Sequence, residues 1–176
     1  MPPWHPGRHR ERIELEAPYD DVPDHLLLPL WTWCREILLA SAGLTRSIGV
    51  HLRLALPDAT VSVAAHRGAL DQIGKYVDAD RGILLDLIEA ILRTSRRYSE
   101  LQSLSGLLTV GNSNYELAED RESLVVRVTP EVKDQVQAVV DAATGSPGAH
   151  LAAAWSEAYG RTPDPTKAYS ESIKAV

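Results

Sequence analysis

The 176-residue chain has one cysteine, Cys34, and no phenylalanine. A single cysteine excludes an intrachain disulfide and a multi-thiolate metal site, and it is typical of a protein of the reducing cytoplasm. The aromatic residues are only four Trp and six Tyr, so the core must consist mainly of Leu, Ile, Val and Ala. This composition suits packing between helices, and Cys34 itself is interpreted as a small buried apolar residue.

Long hydrophobic runs and a basic charge balance are also missing. The longest apolar stretch, residues 26–39, is interrupted by Pro29, Arg35 and Glu36, and it is too short and too polar to span a membrane. No secretory signal is visible. The net charge of −6 argues against a general nucleic-acid-binding surface and leaves only a local basic patch open. The candidate patch for nucleic-acid contact is Arg93, Arg96 and Arg97, for which a solvated helix face is the alternative interpretation.

The sequence contains no phosphate-binding loop and no nucleophile elbow. None of its six histidines has the helical spacing and the neighbouring acid of a metal-binding pair, so we predict no metal and no cofactor. Arg46 and His51, five residues apart, come nearest to the Arg/His pair of a metal-independent ribonuclease, in which the His acts as acid or base. They are the only catalytic candidates, and we expect no enzymatic activity from this chain.

Apolar periodicity predicts a mostly α fold, a helical bundle with one small β-hairpin around residues 112–128. Helices are predicted over residues 21–42, 80–104 and 150–159. Another begins at Thr129-Pro130, with an apolar stripe of Val132, Val136, Val139, Val140 and Ala143. Residues 44–56 fit a strand or a helix, and their helical neighbours favour a helix. Residues 12–17 alternate as in a short strand or an extended lead-in.

We predict three parts along the chain. Residues 1–11 are rich in Pro, His and Arg and form a flexible arm. Residues 12–145 form the helical domain with the hairpin, and a Gly-Ser-Pro-Gly break follows it. Residues 146–176 start a C-terminal helical domain that is incomplete in this chain.

The last predicted helix begins at Asp164-Pro165, and no Gly, Asn or Pro closes it before Val176. Tyr169, Ile173 and Val176 fall on one helical face. We expect that this helix either docks on the rest of the chain or belongs to the front part of a longer polypeptide, and that Ile173 and Val176 are partly exposed. Together with Trp155, these residues form the candidate interaction surface.

The C-terminal residues also carry a family resemblance. The run from His150 to Trp155, followed by residues 159–176 with their Pro-Asp-Pro start and Ser-Ile-Lys-Ala-Val end, resembles a segment of bacterial abortive-infection-type proteins with a HEPN-like helical C-terminal domain. The hairpin region is similar as well, so the resemblance covers about a third of the chain. Active HEPN domains of that family cleave RNA with an Arg-x4–6-His motif. The motif is expected downstream of Val176, so no catalytic residue is carried over.

The resemblance implies a role in phage defence, with this chain as an N-terminal sensing, dimerising or scaffolding part. We therefore predict a non-catalytic interaction module of a phage-defence protein. Its partner is another protein or the missing C-terminal domain, and a homodimer is one option. Two alternatives remain open at this point. One is a small metal-independent ribonuclease that uses Arg46 and His51. The other is a mobile-element protein that binds its partner through the C-terminal helix.

Overall fold

A computed structural model gives the fold, and it describes residues 22–94, 98–143, 145–161 and 163–176. The predicted arm, the alternating residues 12–17 and the side chains of Arg96 and Arg97 lie outside the described residues.

The described residues form eight helices and one two-stranded antiparallel hairpin, which confirms the prediction of a mostly α fold with a small hairpin. The helices, in chain order, are α1 (Asp24–Leu39), α2 (Ala42–His51), α3 (Val63–Ala79), α4 (Gly82–Thr94), α5 (Tyr98–Val110), α6 (Pro130–Ala142), α7 (Ser146–Tyr159) and α8 (Pro165–Lys174). The hairpin strands are β1 (Tyr115–Leu117) and β2 (Leu124–Val126), which follow α5 and precede α6 in the chain.

Local capping explains several helix starts. The side chains of Ser41, Ser62 and Asp164 each accept a hydrogen bond from a backbone N–H three residues later, at the starts of α2, α3 and α8. Such a bond satisfies one of the N–H groups that a helix leaves free at its first turn. Of residues 44–56, where strand and helix were both open and a helix was favoured, residues 44–51 are helical, and residues 52–56 belong to no helix or strand.

Most of the helix predicted over residues 80–104 is helical in the structure, as α4 up to Thr94 and as α5 from Tyr98. Helix α5 continues past the predicted end, to Val110. Gly106, which lies two residues after the predicted end, is inside α5. No atom lies within 4 Å of the place where a Cβ would stand at Gly106, so this glycine only lowers helix propensity, at a cost of about 1 kcal/mol.

Helices α1 to α5 belong to a first compact unit that extends to Asn114. Its core is aliphatic, as the lack of phenylalanine predicted. The fully buried large side chains are Leu30, Leu38, Ile48, Leu70, Ile73, Leu84, Leu87, Ile88, Ile91, Leu92, Leu104 and Leu108. Cys34 is completely buried among them, and this burial raises the pKa of its thiol well above the ordinary value. Its interpretation as a buried apolar residue agrees with this position.

The hairpin and helices α6 to α8 form the second compact unit, Tyr115–Val176. The strand register pairs Tyr115 with Val126 and Leu117 with Leu124, and Leu124 is buried. An ion pair between Glu116 and Lys133 ties β1 to α6. An isolated bridge between Val125 and Gly160 ties β2 to the end of α7. The domain boundary predicted between residues 145 and 146 falls inside this unit, between α6 and α7.

Candidate functional site

An open apolar groove lies among the three helices of the second unit. Helix α7 packs against both α6 and α8 and therefore forms the floor between two walls. The groove has a volume of about 490 Å³. Its lining residues are Gln135, Val136, Val139 and Val140 of α6, Leu151, Ala154, Trp155 and Ala158 of α7, and Ala168, Tyr169 and Ser172 of α8.

Small side chains keep this groove open. Neighbouring helices pack with their axes about 8–10 Å apart, and the space between them has to be filled by side chains. Ala154, Ala158 and Ala168 contribute only a methyl group each at this position. The largest group on the floor is Trp155, whose ring stacks on Tyr159 with 4.0 Å between the ring centroids.

Large apolar side chains stand exposed along α8. Tyr169 is 69% exposed and Ile173 is 57% exposed, and Val176 is fully exposed after the end of the helix. The exposure predicted for Ile173 and Val176 is therefore confirmed. Of the four predicted interaction residues, Trp155 and Tyr169 both line the groove, and Ile173 lies one turn after Tyr169 on the same helix.

The described residues that line the groove carry no formal charge. The lysines of the two wall helices form ion pairs within the unit: Lys133 with Glu116, Lys167 with Glu157, and Lys174 with Glu171. An apolar group can therefore bind in the groove without desolvating a charged side chain. Desolvation is the main free-energy cost of burying ions.

Helix α8 is held on α7 by polar contacts at two positions along its length, at Glu171 and at Lys167. His150 Nδ1 lies 2.7 Å from Glu171 Oε2, and Lys174 Nζ donates to Glu171 Oε1 at 2.6 Å. The hydrogen bonds from Lys174 and His150 lower the pKa of Glu171, so its carboxylate is charged at neutral pH. Near the start of α8, Lys167 forms an ion pair with Glu157 of α7. The hydrogen bond and the charge of Glu157 raise the pKa of Lys167.

The two ribonuclease candidates, Arg46 and His51, both lie on α2. Arg46 Nη1 lies 3.9 Å from Asp58 Oδ2 in an exposed ion pair. A catalytic role of Arg46 and His51 stays a prediction.

The candidate nucleic-acid patch is only partly described. Arg93 Nη2 lies 3.8 Å from Glu89 Oε2, one turn earlier on α4, so the charge of Arg93 is partly compensated. The side chains of Arg96 and Arg97 are not among those described, and the patch stays a prediction.

Two features are absent from the part of the chain that the structure describes. Among these residues, no three His, Cys, Asp or Glu side chains gather where they could hold a metal ion. Within the same ranges, no helix has the length and apolar character that crossing a membrane requires.

Sequence reasoning identified the apolar stripe of α6 but not that it lines an open groove. The stripe consists of valines, and the helices beside it supply mostly alanines and few large side chains. This shortage of side-chain volume over three consecutive helices is the signal that points to an unfilled space.

Comparison with known proteins gave no match: no protein-family model, no curated protein and no solved structure is similar to this chain. The resemblance to abortive-infection proteins therefore stays a prediction.

Proposed function

We propose that this chain is a non-catalytic interaction module whose second unit binds a helix of a protein in the groove between α6 and α8. The observation that carries the proposal is the apolar, uncharged lining of the groove together with the exposed Tyr169 and Ile173. Large exposed apolar patches mark interaction sites on soluble proteins, and amphipathic helices bind in apolar grooves through side chains spaced at i, i+3 or i+4.

The exposed side chains supply enough apolar area to favour binding. A buried Tyr covers about 150–250 Å², so the exposed two-thirds of Tyr169 correspond to roughly 100–170 Å². At about 25 cal/mol per Å², covering this area contributes roughly 2.5–4 kcal/mol, and covering Ile173 adds about 1 kcal/mol. These gains oppose the loss of translational and rotational freedom on association, which costs at least about 4 kcal/mol. The two residues therefore need the groove lining to add further apolar contact.

The setting that we propose for this module is phage defence. The support is the resemblance of residues 150–176 to abortive-infection proteins. We expect cells that carry the intact protein to lower phage plaque counts and cells that carry Ile173→Lys to lose this protection. Protection that is unchanged in Ile173→Lys would contradict a defence role that acts through the groove.

Photo-crosslinking tests whether a protein occupies the groove. The photoreactive residue p-benzoylphenylalanine replaces Tyr169 at the groove, or Val110 as a control position in the first unit that is 76% exposed. In the cells that make this protein, we expect a protein adduct from position 169 that is absent from position 110. The adduct should also disappear when Ile173→Lys is added, and peptide mapping should place the attachment in a helix. Equal adducts from both positions, or no adduct from position 169, would contradict the proposal.

A further inference from the structure

We propose that the partner in the groove is a basic amphipathic helix of another protein, and that only three bulky apolar side chains of this helix enter the groove. The inference rests on the proposed function, because it gives the chemistry of the partner that occupies the same groove. The three anchoring side chains follow one another at i, i+3 or i+4, and i+7, and lysines or arginines lie on the remaining faces of the helix.

The volume of the groove limits what can enter it. A helix of about ten residues is about 15 Å long and 10 Å wide and fills about 1,200 Å³, far more than the groove volume of about 490 Å³. The backbone of a bound helix must therefore stay outside the groove. A cavity of about 150 Å³ holds one benzene ring, so the groove has room for about three groups of that size. Three large apolar side chains from one face of a helix are such groups.

The length of the groove sets the spacing of the three side chains. Its lining on α7 extends from Leu151 to Ala158, and seven residues of a helix correspond to about 10 Å. On a partner helix that lies along the groove, side chains at i, i+3 or i+4, and i+7 point to one side and cover the same 10 Å. The alanines of the lining leave room for these side chains, and Trp155 and Tyr169 offer them aromatic surface.

The charge of the second unit determines the sign of the partner's charge. Tyr115–Val176 contains ten acidic residues and six Lys or Arg residues, a net charge of −4 out of −6 for the whole chain. The three lysines of this unit already form ion pairs within it. On α6, the exposed acids Glu131, Asp134 and Asp141 take part in no ion pair among the described residues. The unit therefore attracts a basic helix and repels an acidic one.

The positive charges of the partner act outside the groove. The described lining residues carry no formal charge, so a lysine or arginine inside the groove would lose its hydration without gaining an ionic partner. The basic residues therefore belong on the faces of the helix that stay in water. There they speed association with the acidic unit, and salt screens this attraction.

Three synthetic peptides and the purified full chain test the inference. The basic peptide is an alanine-based helix with leucines at i, i+4 and i+7 and lysines on its other faces. The acidic peptide has glutamates in place of the lysines, and the anchorless peptide has alanines in place of the leucines. By fluorescence anisotropy, we expect a micromolar Kd for the basic peptide and at least about tenfold weaker binding of the other two. Added salt should weaken binding of the basic peptide.

Two variants of the chain show whether the basic peptide binds in the groove. Ile173→Lys places a positive charge one turn from Tyr169 and should weaken binding at least about tenfold, because this lysine would lie against an apolar contact. Val110→Lys adds the same charge at an exposed valine of the first unit, and it should change the Kd by less than about twofold. Circular dichroism of each variant checks that the helices remain folded.

The outcomes separate the basic partner from the proposed function. The basic partner is overturned if the basic peptide does not bind, if the acidic peptide binds equally well, or if Ile173→Lys leaves binding intact. An adduct of two copies of the chain in the cellular crosslinking experiment would also overturn another protein as the occupant. If the position-169 adduct with a helix of another protein forms although the basic peptide fails, the groove is still a docking site. If neither the peptide nor the adduct is found, both proposals fail.

Discussion

Replacing the buried Thr45 by valine should destabilise the first unit by a small and calculable amount. Thr45 is completely buried, and its Oγ1 lies 3.0 Å from Leu38 O, 3.2 Å from Ser41 O and 3.1 Å from His66 Nε2. His66 Nε2 also lies 3.2 Å from Leu38 O. The Thr45 hydroxyl and the His66 ring nitrogen therefore lie together at the carbonyl of Leu38. The hydroxyl thus links the end of α1 to α2 and α3.

The magnitude follows from the partners that remain. In Thr45→Val, Leu38 O still accepts from the backbone N–H of Ser41, and Ser41 O still accepts from the backbone N–H of residue 45. No carbonyl is left without a partner, so the cost is that of one net hydrogen bond, about 1 kcal/mol. For a unit of this size, that corresponds to a decrease in Tm of about 4 °C.

Thermal and urea unfolding of the purified chain measure this difference. Thr109→Val is the matched control, because Thr109 is exposed on α5 and its change should stay within about 0.5 kcal/mol. A double variant with His66→Ala should show a coupling energy of about 0.5–1.5 kcal/mol between the two positions. If Thr45→Val is as stable as Thr109→Val, the buried hydroxyl does not stabilise this junction and the reasoning is refuted.

Three further predictions concern the two units. Gly111→Ala should lower the free energy of unfolding by about 1–3 kcal/mol, because its Cβ would stand 2.2 Å from the buried Leu26 side chain. Gly106→Ala, the control, should instead stabilise α5 by about 0.5–1 kcal/mol. Equal effects of the two variants in unfolding experiments would refute the packing account. Glu171→Gln should be less stable than the parent at pH 7. Because folding lowers the pKa of the Glu171 carboxylate below its ordinary value of 4.5, the carboxylate stabilises the folded chain at pH values above 4.5. The difference in stability between parent and variant should therefore disappear as the pH falls below 4.5. A difference that persists in acid would contradict the ion-pair explanation. We expect no RNA cleavage by the purified chain, and cleavage that His51→Ala abolishes would support the ribonuclease alternative instead.

Local chemistry made part of the fold predictable. The starts of α6 and α8 were predicted from Thr129-Pro130 and Asp164-Pro165, because a capping residue followed by proline acts within a single turn. The hairpin was predicted from two short apolar runs around a polar loop. The C-terminal end of α5 was predicted at residue 104, whereas the helix continues through Gly106 to Val110, because one glycine costs a helix only about 1 kcal/mol.

The groove was harder to predict than the helices that form it. Periodicity shows which face of a helix is apolar, but not whether another element covers that face. Val139 was predicted on the apolar stripe of α6, and in the structure it lines the open groove. The exposure of Ile173 was predicted from the apolar face of a helix that has no closing Gly, Asn or Pro, and this part of the prediction is confirmed.

The uneven burial of the helices has a consequence for local opening. Helix α4 has seven buried residues, whereas α8 has none and no described side chain of α6 is buried. Little apolar contact is lost when the two wall helices open, so their amide hydrogens should exchange with deuterated solvent far faster than those of α4. A molecule bound between α6 and α8 would slow hydrogen exchange in these two helices first. A decrease in deuterium uptake there would therefore detect a bound molecule even before that molecule is identified.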